Sequence, residues 1–152
     1  QVGSGFMVGS PYQTSENLAE DILFLKELNP HMIGIGPFIP HADTPFAHAP
    51  AGNIELTLKL IAIFRLMHPS ALIPATTALA SLSADGREQG ILAGANVVMP
   101  NLSPSSVREK YSLYNQKAAF GSEAAEGLKL LEEQLNKIGY TISNERGDYN
   151  YV

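Results

Sequence analysis

Cysteine is absent from this chain. That excludes disulfides, thiolate nucleophiles and any cysteine-held cluster within these residues, and it is compatible with the cytoplasm. Charge is also scarce. Only 16% of the residues are Asp, Glu, Lys or Arg, against roughly 25% in an ordinary domain. The net charge is -5 and the basic residues do not gather into a patch, so nucleic acid is not an expected partner. No apolar run approaches the ~18 residues that cross a bilayer, and no signal-peptide pattern is present, so a membrane is not expected either. There is no Ser–His–Asp pattern, no HExxH and no phosphate-cradling glycine motif. His31, His41, His48 and His68 do not share metal-ligand spacing, and they read as loop or surface residues.

What is there is a repeat of short apolar strands and amphipathic helices. Val2 to Gly9 reads as a strand with Gly3, Gly5, Met7 and Gly9 on one face and Phe6 and Val8 on the other. Thr14 or Ser15 caps a helix running to about Leu28, with Leu18, Ile22, Leu25 and Leu28 at helical spacing. Met32 to Gly36 is a second strand. A loop from Pro37 to Gly52 follows, with four prolines, His41, Asp43 and His48, and loops of that length are usually functional. Asn53 caps a helix from Ile54 to Met67, in which Glu55 and Lys59 form an i,i+4 pair.

The third strand spans Ala71 to Ala75 and ends in Thr76-Thr77. A short helix follows over Asp85 to Ala93, with Gly94 at its C-terminus. Asn96 to Met99 is the fourth strand, stopped by Pro100. Ser103-Pro104 then starts another helix as N-cap and first helical residue. Ser122 to Ile138 is an amphipathic terminal helix with Ala125, Leu128, Leu131, Leu135 and Ile138 on one face. Thr141 to Val152 is polar and reads as loosely held.

Strand–helix repetition implies parallel strands with right-handed crossovers. A closed eight-strand barrel takes about 250 residues, and this chain has 152. The expected fold is therefore α/β: half of a (βα)8 barrel, four parallel βα units plus a C-terminal helix. A flavodoxin-like sheet would need a helix layer on both faces. The chain opens on Gln1 with a strand pattern from Val2, so a piece of a longer protein is expected. The four strand ends, Gly9-Ser10, Pro37-Phe38, Thr76-Thr77 and Met99-Pro100-Asn101, would converge on the face where barrels place their sites. Hydroxyls and an amide there can orient a small ligand, and methionine gives an adaptable apolar wall.

Four stretches carry a family resemblance. They are Gly5-Phe6-Met7-Val8-Gly9, Gly34 to Pro45, Ile73-Pro74-Ala75-Thr76-Thr77-Ala78, and Asn96-Val97-Val98-Met99-Pro100-Asn101, continued by Ser103-Pro104, Tyr111 and Tyr114. Over about Val2 to Lys117 the chain resembles the C-terminal half of the HydE family of FeFe-hydrogenase maturases. These are radical S-adenosylmethionine (SAM) enzymes related to biotin synthase and methylornithine synthase. The resemblance implies that these strands are the last four of a full barrel, with residues 1–120 as its C-terminal half and 121–152 as a terminal helix and tail. It implies SAM, cleaved to a 5′-deoxyadenosyl radical, and a 4Fe-4S cluster on a CxxxCxxC motif outside these residues.

By the same resemblance, Thr76, Thr77, Ala78, Met99 and Tyr114 would line the cavity for a small-molecule or organometallic substrate. Met7 and Pro37 would lie nearer the SAM adenosyl group. Some family members carry extra cysteines after the last strand, where this chain has Ala119, Gly127 and Leu130; that departure argues against an accessory cluster. The catalytic residues and the metal ligands would lie outside this chain, which alone would be inactive and bind neither SAM nor cluster. Two other readings compete: another biotin-synthase-like radical SAM enzyme, and a non-catalytic α/β binding module.

Half a barrel has two sheet edges where a closed one has none. A few hundred Å² of uncovered apolar inner face, at ~25 cal/mol per Å², is worth several kcal/mol, comparable with the stability of a domain. With the N-terminal half missing, the isolated chain is expected to self-associate, most simply as a two-fold dimer. Sedimentation at micromolar concentration checks this, and a monomer that binds no hydrophobic dye would refute it.

Overall fold

The computed structural model describes residues 1–99 and 124–149. Two longer strands come first, β1 (Gly3–Val8) and β2 (Met32–Pro37). They pair in parallel, from Gly3 opposite Met32 to Val8 opposite Pro37. Between them runs α1 (Ser15–Leu28). A capping box starts it: the Asn17 amide donates to Thr14 Oγ1 (3.3 Å), and the Thr14 amide donates to Asn17 Oδ1 (3.0 Å). The helix ends at Asn29, which takes the left-handed conformation (φ 46°) that asparagine tolerates. The next helix, α2 (Ile54–Met67), is capped by Asn53, whose Oδ1 accepts the Leu56 amide at 2.8 Å. Glu55 and Lys59 pair at 2.7 Å on its exposed side.

The later strands are much shorter than the sequence suggests. β3 is Pro74–Ala75 and β4 is Val97–Val98, again parallel. Side chain and backbone share the rest of that ladder. Asn96 Oδ1 accepts the Ile73 amide (2.8 Å), and the Asn96 amide donates to Ile73 O (2.8 Å). A parallel bridge from Met32 to Leu72 joins the two pairs, with Ile33 N donating to Leu72 O at 2.9 Å. The strands thus lie side by side in chain order, and every described pair is parallel.

Between β3 and β4 there are two short helices, α3 (Thr77–Leu82) and α4 (Gly86–Leu92). The first is a correction to the sequence reading, which has no helix there. Six residues are too few for periodicity to show, and the buried Leu79 is what anchors them. Four complete βα units are therefore not what the described residues display. The helix start at Ser103-Pro104 lies outside them.

One core holds these elements together. Val8, Ile33 and Ile35 from β1–β2 are fully buried with Leu25 of α1 and with Leu60, Ile61 and Phe64 of α2. The opposite face of the same two strands carries Gly3, Gly5 and Met7, all exposed, and the half-buried Met32, Gly34 and Gly36. The terminal helix α5 (Ala124–Lys137) adds Leu131 and Leu135 to the core. The described residues after it run on to 149. Ile142 packs against the core, and the Tyr149 ring meets His31 at 4.7 Å.

His68, at the C-terminus of α2, is 7% exposed. Its Nδ1 faces Asn29 Oδ1 at 3.2 Å, and its Nε2 has no partner among the described residues. Burial holds its pKa below the ordinary histidine value. The folded state thus binds this proton less readily than the unfolded chain. The associated stability is fully present above the unfolded pKa of about 6.5 and is lost as pH falls towards the folded value, at no more than about 1.4 kcal/mol per pH unit. Urea unfolding between pH 7 and pH 5 should show this slope, and His68→Gln should flatten it. An unchanged slope in the variant would assign the effect to another group.

Candidate functional site

Parallel pairing brings the C-termini of β1 and β2 to one rim, where the chain must turn away without filling the space between. Glycine makes the turn possible. Gly9 takes φ +79°, and the Gly52 Cα lies against it; a Cβ on Gly52 would sit 2.0 Å from Val8 O. Two hydrogen bonds complete the fastening, Phe38 N to Val8 O (2.9 Å) and Gly52 N to Phe38 O (2.8 Å). The long loop is therefore closed at its neck as it leaves β2 and returns to α2. Its interior is braced as well. Phe46 meets Phe38 edge-on at 6.4 Å, and Tyr12, in the left-handed region at φ 69°, meets Phe46 at 6.4 Å.

Under this loop lies a cavity of about 710 Å³, within the range of small-molecule and cofactor sites. Its floor is the glycine face of β1–β2, its roof includes Phe38, His41, Thr44 and Phe46, and its far wall is Thr76 and Ala78. Among the described residues no Asp, Glu, Lys or Arg lines it.

Thr76 is the most telling of these. It occupies the N-cap position of α3, yet its hydroxyl does not cap the helix. Oγ1 is buried and has no partner among the described residues. A Cβ on Gly36 would stand 2.8 Å from that oxygen and 3.4 Å from Thr76 Cβ and Cγ2, so glycine at 36 is what admits the threonine. Burying a hydroxyl without a hydrogen bond costs about 1–3 kcal/mol. Thr76 is also one of the residues that line the cavity.

The sequence-expected residues divide accordingly. Met7, Pro37, Thr76 and Ala78 line the one cavity. Thr77 does not: it opens α3, and its carbonyl accepts the Ser81 hydroxyl at 3.0 Å. Met99 does not either. The strand before it is two residues long, and Met99 is half exposed. Pro100, Asn101, Tyr111, Tyr114 and Ala119 lie outside the described residues. His41 is the residue that sequence reasoning missed. It reads as a loop histidine, and only the folding of the loop carries it to the cavity wall. Among the described residues no group of three His, Asp or Glu side chains could hold a metal ion. A second cavity of about 400 Å³ lies at the opposite ends of the strands, between Met32, Leu72 and Val97 on one side and Leu135 and Ile142 on the other.

No family model matches the chain. It is 51% identical over 114 residues to the FeFe-hydrogenase maturase subunit HydE of Thermotoga maritima, an alignment covering 75% of this chain and 33% of that protein. It is 32% identical over 101 residues to 3-methylornithine synthase of Methanosarcina acetivorans, covering 66% and 28%. Biotin synthase of Porphyromonas gingivalis is 27% identical over 145 residues, covering 95% and 38%. The chain thus spans about a third of the length of the curated relatives it matches.

The Gly36–Thr76 contact can be tested directly. Gly36→Ala should destabilise the protein by about 1–3 kcal/mol, as overpacking does. In a Thr76→Ala background, where the close oxygen is gone, the same change should cost markedly less. A double-mutant cycle by urea unfolding measures the coupling, and additive effects would show that the two residues do not share this space.

Proposed function

This chain belongs in sequence with the HydE-type maturases of FeFe-hydrogenase, and we propose that it forms the C-terminal half of a radical SAM (βα)8 barrel. Residues 1–120 make the half-barrel in this reading, and 121–152 the terminal helix and tail. The whole protein is then a cytoplasmic enzyme of hydrogenase-cluster assembly, with a small organometallic substrate. Thr76 and Ala78 serve the substrate, and Met7 and Pro37 the adenosyl end of SAM. Thr77, Met99 and Tyr114 join them by resemblance alone. SAM, when bound, supplies radical chemistry. The residues here bind and orient its partners and keep water out.

The two cofactors fit these residues differently. The chain has no cysteine and so offers no thiolate to an iron–sulfur cluster; the cysteines belong to the other half in this reading. SAM is a better match. The cavity has a neutral, largely apolar lining with a few hydroxyl and imidazole groups, which suits a nucleoside.

The observation that carries the proposal is Thr76, whose buried hydroxyl has no partner among the described residues, in the wall of an open cavity at the ends of parallel strands. A biotin-synthase-like enzyme with another substrate is the second reading, supported by the matches to biotin synthase and 3-methylornithine synthase. Identity of 51% against 32% and 27% favours HydE-type chemistry.

Thr76→Val in the full-length protein separates a ligand role from a structural one. The substitution removes an unpaired hydroxyl at nearly constant volume, so thermal stability should hold or rise. Restoration of hydrogenase activity in a strain lacking its own maturase should fall about tenfold, the equivalent of one hydrogen bond of about 1.4 kcal/mol. Full restoration by the variant would remove Thr76 from the site.

A further inference from the structure

His41 stands on the cavity wall, and its orientation is fixed. The Asp43 amide donates to His41 Nδ1 at 3.1 Å. A backbone N–H is always a donor, so Nδ1 must be the acceptor and the ring proton sits on Nε2. The Asp43 carboxylate approaches the same Nδ1 only to 3.9 Å and is 91% exposed, where an ion pair adds little. The turn beneath the ring is held too. His41 O accepts both the Thr44 amide (3.1 Å) and the Thr44 hydroxyl (2.8 Å). The side chain is 21% exposed, and Nε2 has no partner among the described residues.

The lining narrows what this donor can meet. Phe38 and Phe46 line the same cavity, and among the described residues no lysine or arginine does. A carboxylate brought here would lack a countercharge, which is costly out of water. A neutral heteroaromatic ring would lose nothing of the kind. It could lie against the aromatic side chains and offer a ring nitrogen to the imidazole N–H.

We propose that His41 donates its Nε2–H to a ring nitrogen of a purine nucleoside in this cavity, the adenine of SAM. This rests on the SAM-binding reading above and adds a specificity residue to it. Asp43, through its backbone amide, is a positioning residue for the ring.

The test uses the full-length protein, titrated calorimetrically with S-adenosylhomocysteine, 5′-deoxyadenosine and methionine. His41→Asn keeps an acceptor near the Nδ1 position for the Asp43 amide and removes the distal donor. It should weaken both nucleosides about tenfold and leave methionine unchanged. His41→Gln, which can place an amide N–H near Nε2, should stay within about threefold of wild type. Nitrogen-15 spectra of labelled imidazole should show the Nε2–H tautomer, with that resonance shifting when 5′-deoxyadenosine is added. This last readout needs no variant and no turnover. Wild-type nucleoside affinity in His41→Asn, or an imidazole signal unmoved by 5′-deoxyadenosine, would overturn the proposal while leaving SAM binding intact. Equal losses for methionine would reassign the donor to a carboxylate. Failure of the wild-type protein to bind either nucleoside would bring down both this proposal and the reading beneath it.

Discussion

Successive side chains of a strand point to opposite faces, and the whole arrangement depends on how β1 and β2 use that alternation. One face carries Val8, Ile33 and Ile35 into the core with α1 and α2. The other carries glycine and methionine, exposed on β1 and half-buried on β2. A one-residue slip in register would exchange the two and bury the glycine face. Burial of the branched side chains therefore does two things at once. It fixes the pairing of the strands, and it keeps the floor of the cavity low. The space under the loop exists because the residues opposite the core have almost no side chain.

Local signals made the first two helices legible in the sequence. Thr14 and Asn53 cap within their own segments, and the apolar spacing of each helix is complete without reference to anything distant. Strand identity was legible for the same reason, since Val8, Ile33 and Ile35 alternate with small residues. Strand length was not. Around β3 and β4 the Asn96 side chain takes over part of the ladder, and no propensity announces that an amide side chain will do so. The short helix at Thr77 was hidden because six residues are too few to show a period.

The candidate site shows the same division. Met7 and Pro37 lie at the C-terminal ends of β1 and β2, and Thr76 and Ala78 come just after β3, so positions near strand ends share one cavity lining. His41 comes to the wall through the closure of its loop, by Gly9 against the distant Gly52 and by Phe38 against Phe46 within the loop. Thr77 fails to reach the wall for a local reason that only the helix reveals. A sequence shows which residues can end a strand together; it shows less readily which side chain a folded loop will lower over them.

The two ends of the described chain meet on the side away from the cavity. Gln1 Nε2 lies 3.5 Å from Asp148 Oδ1, and Tyr149 lies against His31, just ahead of β2. Joining such ends in a circle would need only a few linking residues, and new ends could be opened in an exposed loop elsewhere.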